Sequence, residues 1–131
     1  MISFELFTVQ EGTPIYLQIL LYIKRGIIAG FIQDGDELPS RRVLSALLGV
    51  NPNTVQKAYK LLEEEGLIQS RTGAKSCVVV TEQKITEIRS ELLEEDAKNI
   101  VRKLKMMGIS LSEAHTLMER YWNIDERGNV S

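Results

Sequence analysis

Between residues 15 and 28 apolar side chains recur at Ile15, Ile19, Tyr22, Ile23, Ile27 and Ile28, the period of a helix with one buried stripe. Thr13-Pro14 ahead of them reads as an N-cap followed by proline at the first helical position, where its missing N–H is no loss. Gly30 supplies a stop, and Asp34-Gly35-Asp36 is turn chemistry. A second helix is predicted from Ser40 as N-cap to Gly49, with Val43, Leu44, Leu47 and Leu48 inward. Asn51-Pro52 repeats the cap-then-proline signal and opens a third helix, with Val55, Ala58, Tyr59 and Leu62 on one face and a stop at Gly66. Two short helices joined by a tight glycine-containing turn have the form of a helix-turn-helix.

Leu67-Ile68-Gln69-Ser70 and Cys77-Val78-Val79-Val80 then read as two short strands around a polar, glycine-containing link, hence a hairpin. A hairpin directly after a helix-turn-helix makes the winged variant. Beyond it, Ile85, Ile88, Leu92, Ile100, Val101, Leu104 and Met107 keep a period near 3.6 as far as Gly108. Ser110-Leu111-Ser112-Glu113 fits a capping box and starts a last helix bearing Leu111, Ala114, Leu117, Met118, Tyr121 and Trp122. Residues 125–131 are polar and are expected to fray. The expected fold is mainly α with a small β-hairpin: a winged helix-turn-helix over residues 1–80 and a two-helix dimerisation tail over residues 81–124.

Composition narrows the class. The 131 residues are 44% hydrophobic and 26% charged, as in a globular protein. No apolar run approaches the roughly 18 residues that span a bilayer, and the first residues lack a secretory pattern. The single cysteine, Cys77, excludes an intramolecular disulfide, and the lone His115 has no second ligand at metal spacing. The expectation is a cytoplasmic protein without metal or cofactor, and no nucleophile with its base suggests an enzyme.

Net charge is −2, which at first argues against nucleic acid, but its distribution reverses the reading. Residues 1–37 carry −3, residues 38–75 carry +3 and residues 76–131 carry −2. The basic window holds the helix-turn-helix. The first turn of its second helix offers Asn51, Asn53, Thr54, Gln56 and Lys57. Asn and Gln pair with adenine edges, Thr meets a base edge or the thymine methyl, and free N–H groups at a helix start bind phosphate. A recognition helix docks by this end. Asn51, Asn53 and Thr54 would equally serve as caps and turn formers. Ser40, Arg41 and Arg42 open the preceding helix, which crosses the DNA backbone in this motif. Arg71 and Lys75 flank Gly73 at the hairpin tip, where a wing would follow the phosphates or enter the minor groove.

Pro14-Ile15-Tyr16-Leu17-Gln18-Ile19, Leu38-Pro39-Ser40-Arg41-Arg42-Val43-Leu44, Val50-Asn51-Pro52-Asn53-Thr54-Val55-Gln56-Lys57-Ala58-Tyr59 and Leu62-Glu63-Glu64-Glu65-Gly66-Leu67-Ile68 together resemble the GntR family of bacterial transcription regulators, in order and spacing over about residues 8–80. The short tail resembles the YtrA-like subfamily. The resemblance implies a homodimeric repressor of an inverted-repeat operator, often tied to genes for membrane transporters. It places Arg42 at the family's DNA-binding arginine, Asn51, Asn53, Thr54 and Gln56 at recognition-helix positions, and Gly73 at the wing tip. The wing departs from the usual Gly-x-Gly-x-Phe, with Lys75 for the second glycine and Cys77 for the aromatic.

Two helices with one apolar stripe each cannot close a core, so Leu92, Ile100, Leu104, Leu111, Leu117, Met118, Tyr121 and Trp122 are expected to meet a second subunit. Folding back on the winged domain is the alternative. A small-molecule effector is left open: the tail is too small for a usual pocket, and Tyr121, Trp122, Met106, Met107 and His115 could line one only at a dimer interface. A winged-helix module that binds protein and has lost DNA is the rival function, permitted by the overall charge.

Overall fold

The computed structural model describes residues 1–70 and 75–124. In chain order it contains α1 (Ile15–Ala29), α2 (Arg41–Leu48), α3 (Pro52–Glu64), β1 (Ile68–Ser70), β2 (Ser76–Val78), α4 (Glu82–Met106) and α5 (Leu111–Trp122). The helix starts follow from side-chain caps. Ser40 Oγ accepts the Val43 N–H at 3.1 Å, Asn51 Oδ1 the Asn53 N–H at 2.8 Å, and Ser110 Oγ the Glu113 N–H at 3.1 Å. Thr81 Oγ1 does the same for Lys84 N at the start of α4. At α1 the expectation moves by one residue. Pro14 itself is the N-cap, without a side-chain cap, and the helix begins at Ile15. Gln18 holds the approach instead, bonding Gln10 through both its oxygen and its nitrogen and donating to the Thr13 carbonyl.

The chain divides into two compact units at Ser90/Glu91. In the first, α3 is the hub, packing against α1, α2 and β1. Ile19, Ile23 and Ile27 of α1, Leu44 of α2, and Val55, Ala58, Tyr59 and Leu62 of α3 form one buried cluster with Leu67, Ile68, Val78 and Ile88. Lys24 of α1 is buried alongside and ion-pairs with Glu65 at 2.7 Å, joining α1 to the end of α3. The N-terminal segment, silent in the hydrophobic pattern, also packs here. Ile2 and Phe4 are buried, Phe4 stacks on Tyr22 at 4.9 Å between centroids, and Tyr22 donates to the Ser3 carbonyl.

Two expectations need correction. Val43 and Leu47 of α2 do not point inward; they are 54% and 65% exposed, and Leu44 with Ser45 forms the buried side. An eight-residue helix lying on a single neighbour buries only a narrow stripe, so the broad apolar set read from the sequence exceeds what α3 covers. The strands also differ from the segments expected for them: β1 starts after Leu67, and β2 runs from Ser76 to Val78 and stops short of Val79 and Val80. β1 and β2 pair antiparallel as Ile68↔Val78, Gln69↔Cys77 and Ser70↔Ser76. The far edge of β2 is not free: Leu38 N donates to the Ser76 carbonyl, Val78 N to the Asp36 carbonyl and Gly35 N to the Val78 carbonyl, with Glu37 bridging Cys77. The turn read at residues 34–36 therefore leads into a strip that flanks the hairpin and leaves Cys77 buried in its middle.

The second unit differs. Among the described residues from Glu91 onward none is buried, and Leu111 and Trp122 are 73% and 77% exposed. Leu92, Leu104, Ile109, Ala114 and Leu117 are half-buried. No helix among the described residues is long and apolar enough to cross a membrane.

Candidate nucleic-acid interface

The turn between α2 and α3 is fixed by Ser45 and Gly49. Gly49 takes φ +68°, a left-handed conformation that a side chain would strain, and ends α2. Ser45, buried on α2, donates its hydroxyl to the Val50 carbonyl while its own carbonyl accepts the Val50 N–H. Polar groups of the turn thus satisfy one another out of solvent, and the start of α3 is held against α2. Ser45 is a structural residue of the motif that its apolar pattern hid.

Burial of Val55, Ala58, Tyr59 and Leu62 sets which side of α3 faces out. At 100° per residue, Asn53, Gln56, Lys57 and Lys60 share the opposite side, and all four are exposed. Thr54 is half-buried at the edge of this strip. Lys60 belongs to the same face as Gln56, one turn on, beyond the first turn to which the sequence signal of a docking helix end points. Asn51 is exposed, but its side-chain oxygen is occupied by the cap and only its amide protons remain to donate outward. Ser40 is likewise occupied as a cap and half-buried.

The cations separate into held and unheld. Arg42 is exposed at the start of α2. Arg41 is half-buried, its guanidinium 5.2 Å from the centroid of the Tyr59 ring, and its Nε is shut from solvent without a hydrogen-bond partner among the described residues. Tyr59 is fixed in turn by donating its hydroxyl to the Pro39 carbonyl at 2.7 Å. Burial raises the Tyr59 pKa, with a smaller opposing pull from Arg41, so the hydroxyl remains a donor at any physiological pH. Lys57 lays its ammonium 4.0 Å from the centroid of the Tyr16 ring, a cation–π contact to α1. Lys75 reaches Glu37 at 3.3 Å, an exposed pair that is weak in water. Arg71 and Gly73, also singled out from the sequence, lie outside the described residues.

Other chemistry is sparse. No group of three or more His, Cys, Asp or Glu is placed to hold a metal among the described residues. A shallow cavity of about 360 Å³ on α5 is lined by Met118, Glu119, Trp122 and Asn123. Of the five residues considered for an effector pocket, only Trp122 reaches it.

This geometry is a winged helix-turn-helix whose third helix turns a polar face outward. The profile of the gntR family of bacterial regulatory proteins matches residues 15–79. The HTH-type transcriptional repressor YtrA of Bacillus subtilis (strain 168) is 34% identical over 107 residues, covering 81% of this chain and 82% of the relative. The chain belongs to the GntR family. As a GntR protein it is a transcription regulator with a DNA-binding helix-turn-helix, and its relatives are regulators, not enzymes. A GntR family transcriptional regulator from Listeria monocytogenes superposes with a TM-score of 0.73 at 28% identity, covering 86% of this chain and 98% of that one. The likeness to YtrA and to this structure runs past the winged unit, so the short tail is shared with GntR proteins of the YtrA type. The DNA-binding domain of AraR, solved in complex with operator ORX1, superposes with a TM-score of 0.50 at 27% identity over 55% of this chain and 93% of that one.

Proposed function

We propose that the protein represses transcription by binding an inverted-repeat operator as a homodimer, its tail holding two winged units together. The observation that carries this reading is the outward strip of α3, where Asn53, Gln56, Lys57 and Lys60 stand exposed with no apolar side chain among them. In this reading Asn53, Thr54 and Gln56 read base edges in the major groove, with the Asn51 amide donating at the helix start. Arg42 and Arg41 at the start of α2 grip the backbone, while Arg71, Gly73 and Lys75 belong to a wing that follows it. Lys57 and Lys75 contribute less than their charge suggests, because Tyr16 and Glu37 already engage them. Repression is supported by the likeness to YtrA, and control of transporter genes by the subfamily resemblance alone.

Selection of bound genomic fragments at near-physiological salt tests the reading, followed by titration of the recovered site. The expected product is an inverted repeat upstream of a few genes, bound as two protomers per site. Arg42→Ala is expected to weaken binding about 10- to 100-fold and to lower the salt slope by about one, without changing the melting temperature. Equal affinity in the variant removes Arg42 from the interface. Recovery of no enriched sequence supports the protein-binding module instead.

A further inference from the structure

In α4, charge is sorted along the helix. Residues 91–97 carry Glu91, Glu94, Glu95 and Asp96 and no base, whereas residues 98–106 carry Lys98, Arg102, Lys103 and Lys105 and no acid. Favourable alignment with the helix dipole accounts for charges in the first and last turns only, and Glu94, Glu95, Asp96 and Lys98 lie in mid-helix, where Glu94 and Lys98 meet each other loosely at 4.0 Å. Along the same stretch an apolar strip recurs at Leu93, Ala97, Ile100 and Leu104, spaced four, three and four, which is the seven-residue repeat of helices that pair side by side. Leu93, Ala97 and Ile100 are exposed and Leu104 half-buried.

Helical geometry places Asp96 and Lys103 on one flank of this strip and Glu94 and Lys105 on the other. The second flank borders a shallow groove of about 460 Å³, lined by Glu94, Ala97, Lys98, Val101, Arg102 and Lys105. Asp96 and Lys103 stand symmetrically about a point between Asn99 and Ile100. So do Glu94 and Lys105. An antiparallel pair related by a two-fold axis brings each flank against the same flank of its partner with direction reversed. With the axis at that shared point, Asp96 meets the partner's Lys103 and Glu94 the partner's Lys105, each pair occurring twice. A parallel pair brings unlike flanks together at equal height, setting Asp96 near Glu94 and Lys103 near Lys105 of the other copy, like charge against like.

We infer that the second half of α4 pairs antiparallel with α4 of a second copy of this chain, on a two-fold axis between Asn99 and Ile100. The inference rests on the homodimer reading above and adds its direction and register.

Full-length protein carrying Cys77→Ser is the background for single-cysteine variants, with size measured by sedimentation. A mixture of Ala97→Cys and Leu104→Cys chains is expected to form a disulfide between the two variants on mild oxidation, while Leu104→Cys alone stays uncrosslinked, because its two copies are about 13.5 Å apart along the axis. Asp96→Lys is expected to raise the dimer dissociation constant about tenfold, since symmetry breaks two pairs and makes them repulsive, and adding Lys103→Asp is expected to restore it to within about threefold. A dimer in which Leu104→Cys crosslinks to itself and the mixture does not overturns the antiparallel register while leaving the homodimer standing. An unmodified chain that sediments as a monomer overturns both.

Discussion

The two units are made from similar residues and reach opposite ends. In the first, two helices and a hairpin surround α3, and Ile19, Ile23, Leu44, Val55, Leu62 and Leu67 lose essentially all exposure. In the second, the end of α4 and all of α5 bury no described residue, although α5 carries Leu111, Leu117, Met118, Tyr121 and Trp122. The difference is one of geometry, not hydrophobicity. A helix needs neighbours on more than one side before its apolar stripe is dry, and two helices offer each other too little. The winged unit closes a core of its own. On the dimer reading proposed above, the tail supplies half of one.

The sharpest break in this comparison is a cut after Ser90. The remaining chain is expected to melt cooperatively and to sediment as a monomer, while operator affinity falls by about 10²- to 10⁴-fold as the second contact ceases to be intramolecular. Loss of the cooperative transition would show that the tail is part of the winged core after all. Next in size is a pair of alanines. Ile23→Ala is expected to destabilise the winged unit by about 2–5 kcal/mol in denaturant unfolding. Leu111→Ala, at a site 73% exposed, is expected to change protomer unfolding by no more than about 0.5 kcal/mol while weakening dimerisation by sedimentation. Equal unfolding losses from the two would erase the distinction.

The smallest effect probes the first unit alone. Burial raises the Tyr59 pKa above its unfolded value, so the unfolded chain releases this proton first. Its contribution is full below about pH 10 and is lost progressively as pH rises above that. Tyr22, raised chiefly by burial and then by Glu5, adds in the same direction. Tyr59→Phe is expected to cost about 1–2 kcal/mol at neutral pH by leaving the Pro39 carbonyl unpaired, and to flatten the alkaline limb of the stability curve. An unchanged alkaline limb would assign that loss to other groups.

Much of this was legible in the residues. Caps are local, so Ser40, Asn51 and Ser110 could be read as helix starts, and the period of α3 named its four buried residues. What stayed hidden is what depends on neighbours. Whether Val43 and Leu47 are covered depends on how much of α2 another element reaches, which period alone does not encode. The docking of Ile2 and Phe4 and the strip at residues 35–38 join segments far apart in the chain without a periodic signal of their own. In the interface the residue types were readable and their engagement was not: nothing in the order of residues says that Lys57 rests on Tyr16 or that Arg41 lies against Tyr59.

Cys77 is the only thiol in the chain, and it sits in the middle of β2, buried between its partner Gln69 on one side and Glu37 on the other. A thiol reagent reaches it only when one of these flanking strands lets go, so the rate of labelling is a clock for the breathing of the hairpin. The protein thus carries its own reporter at the root of the wing, needing no engineered tag. Read with and without DNA, that clock measures how firmly the wing is held, one opening at a time.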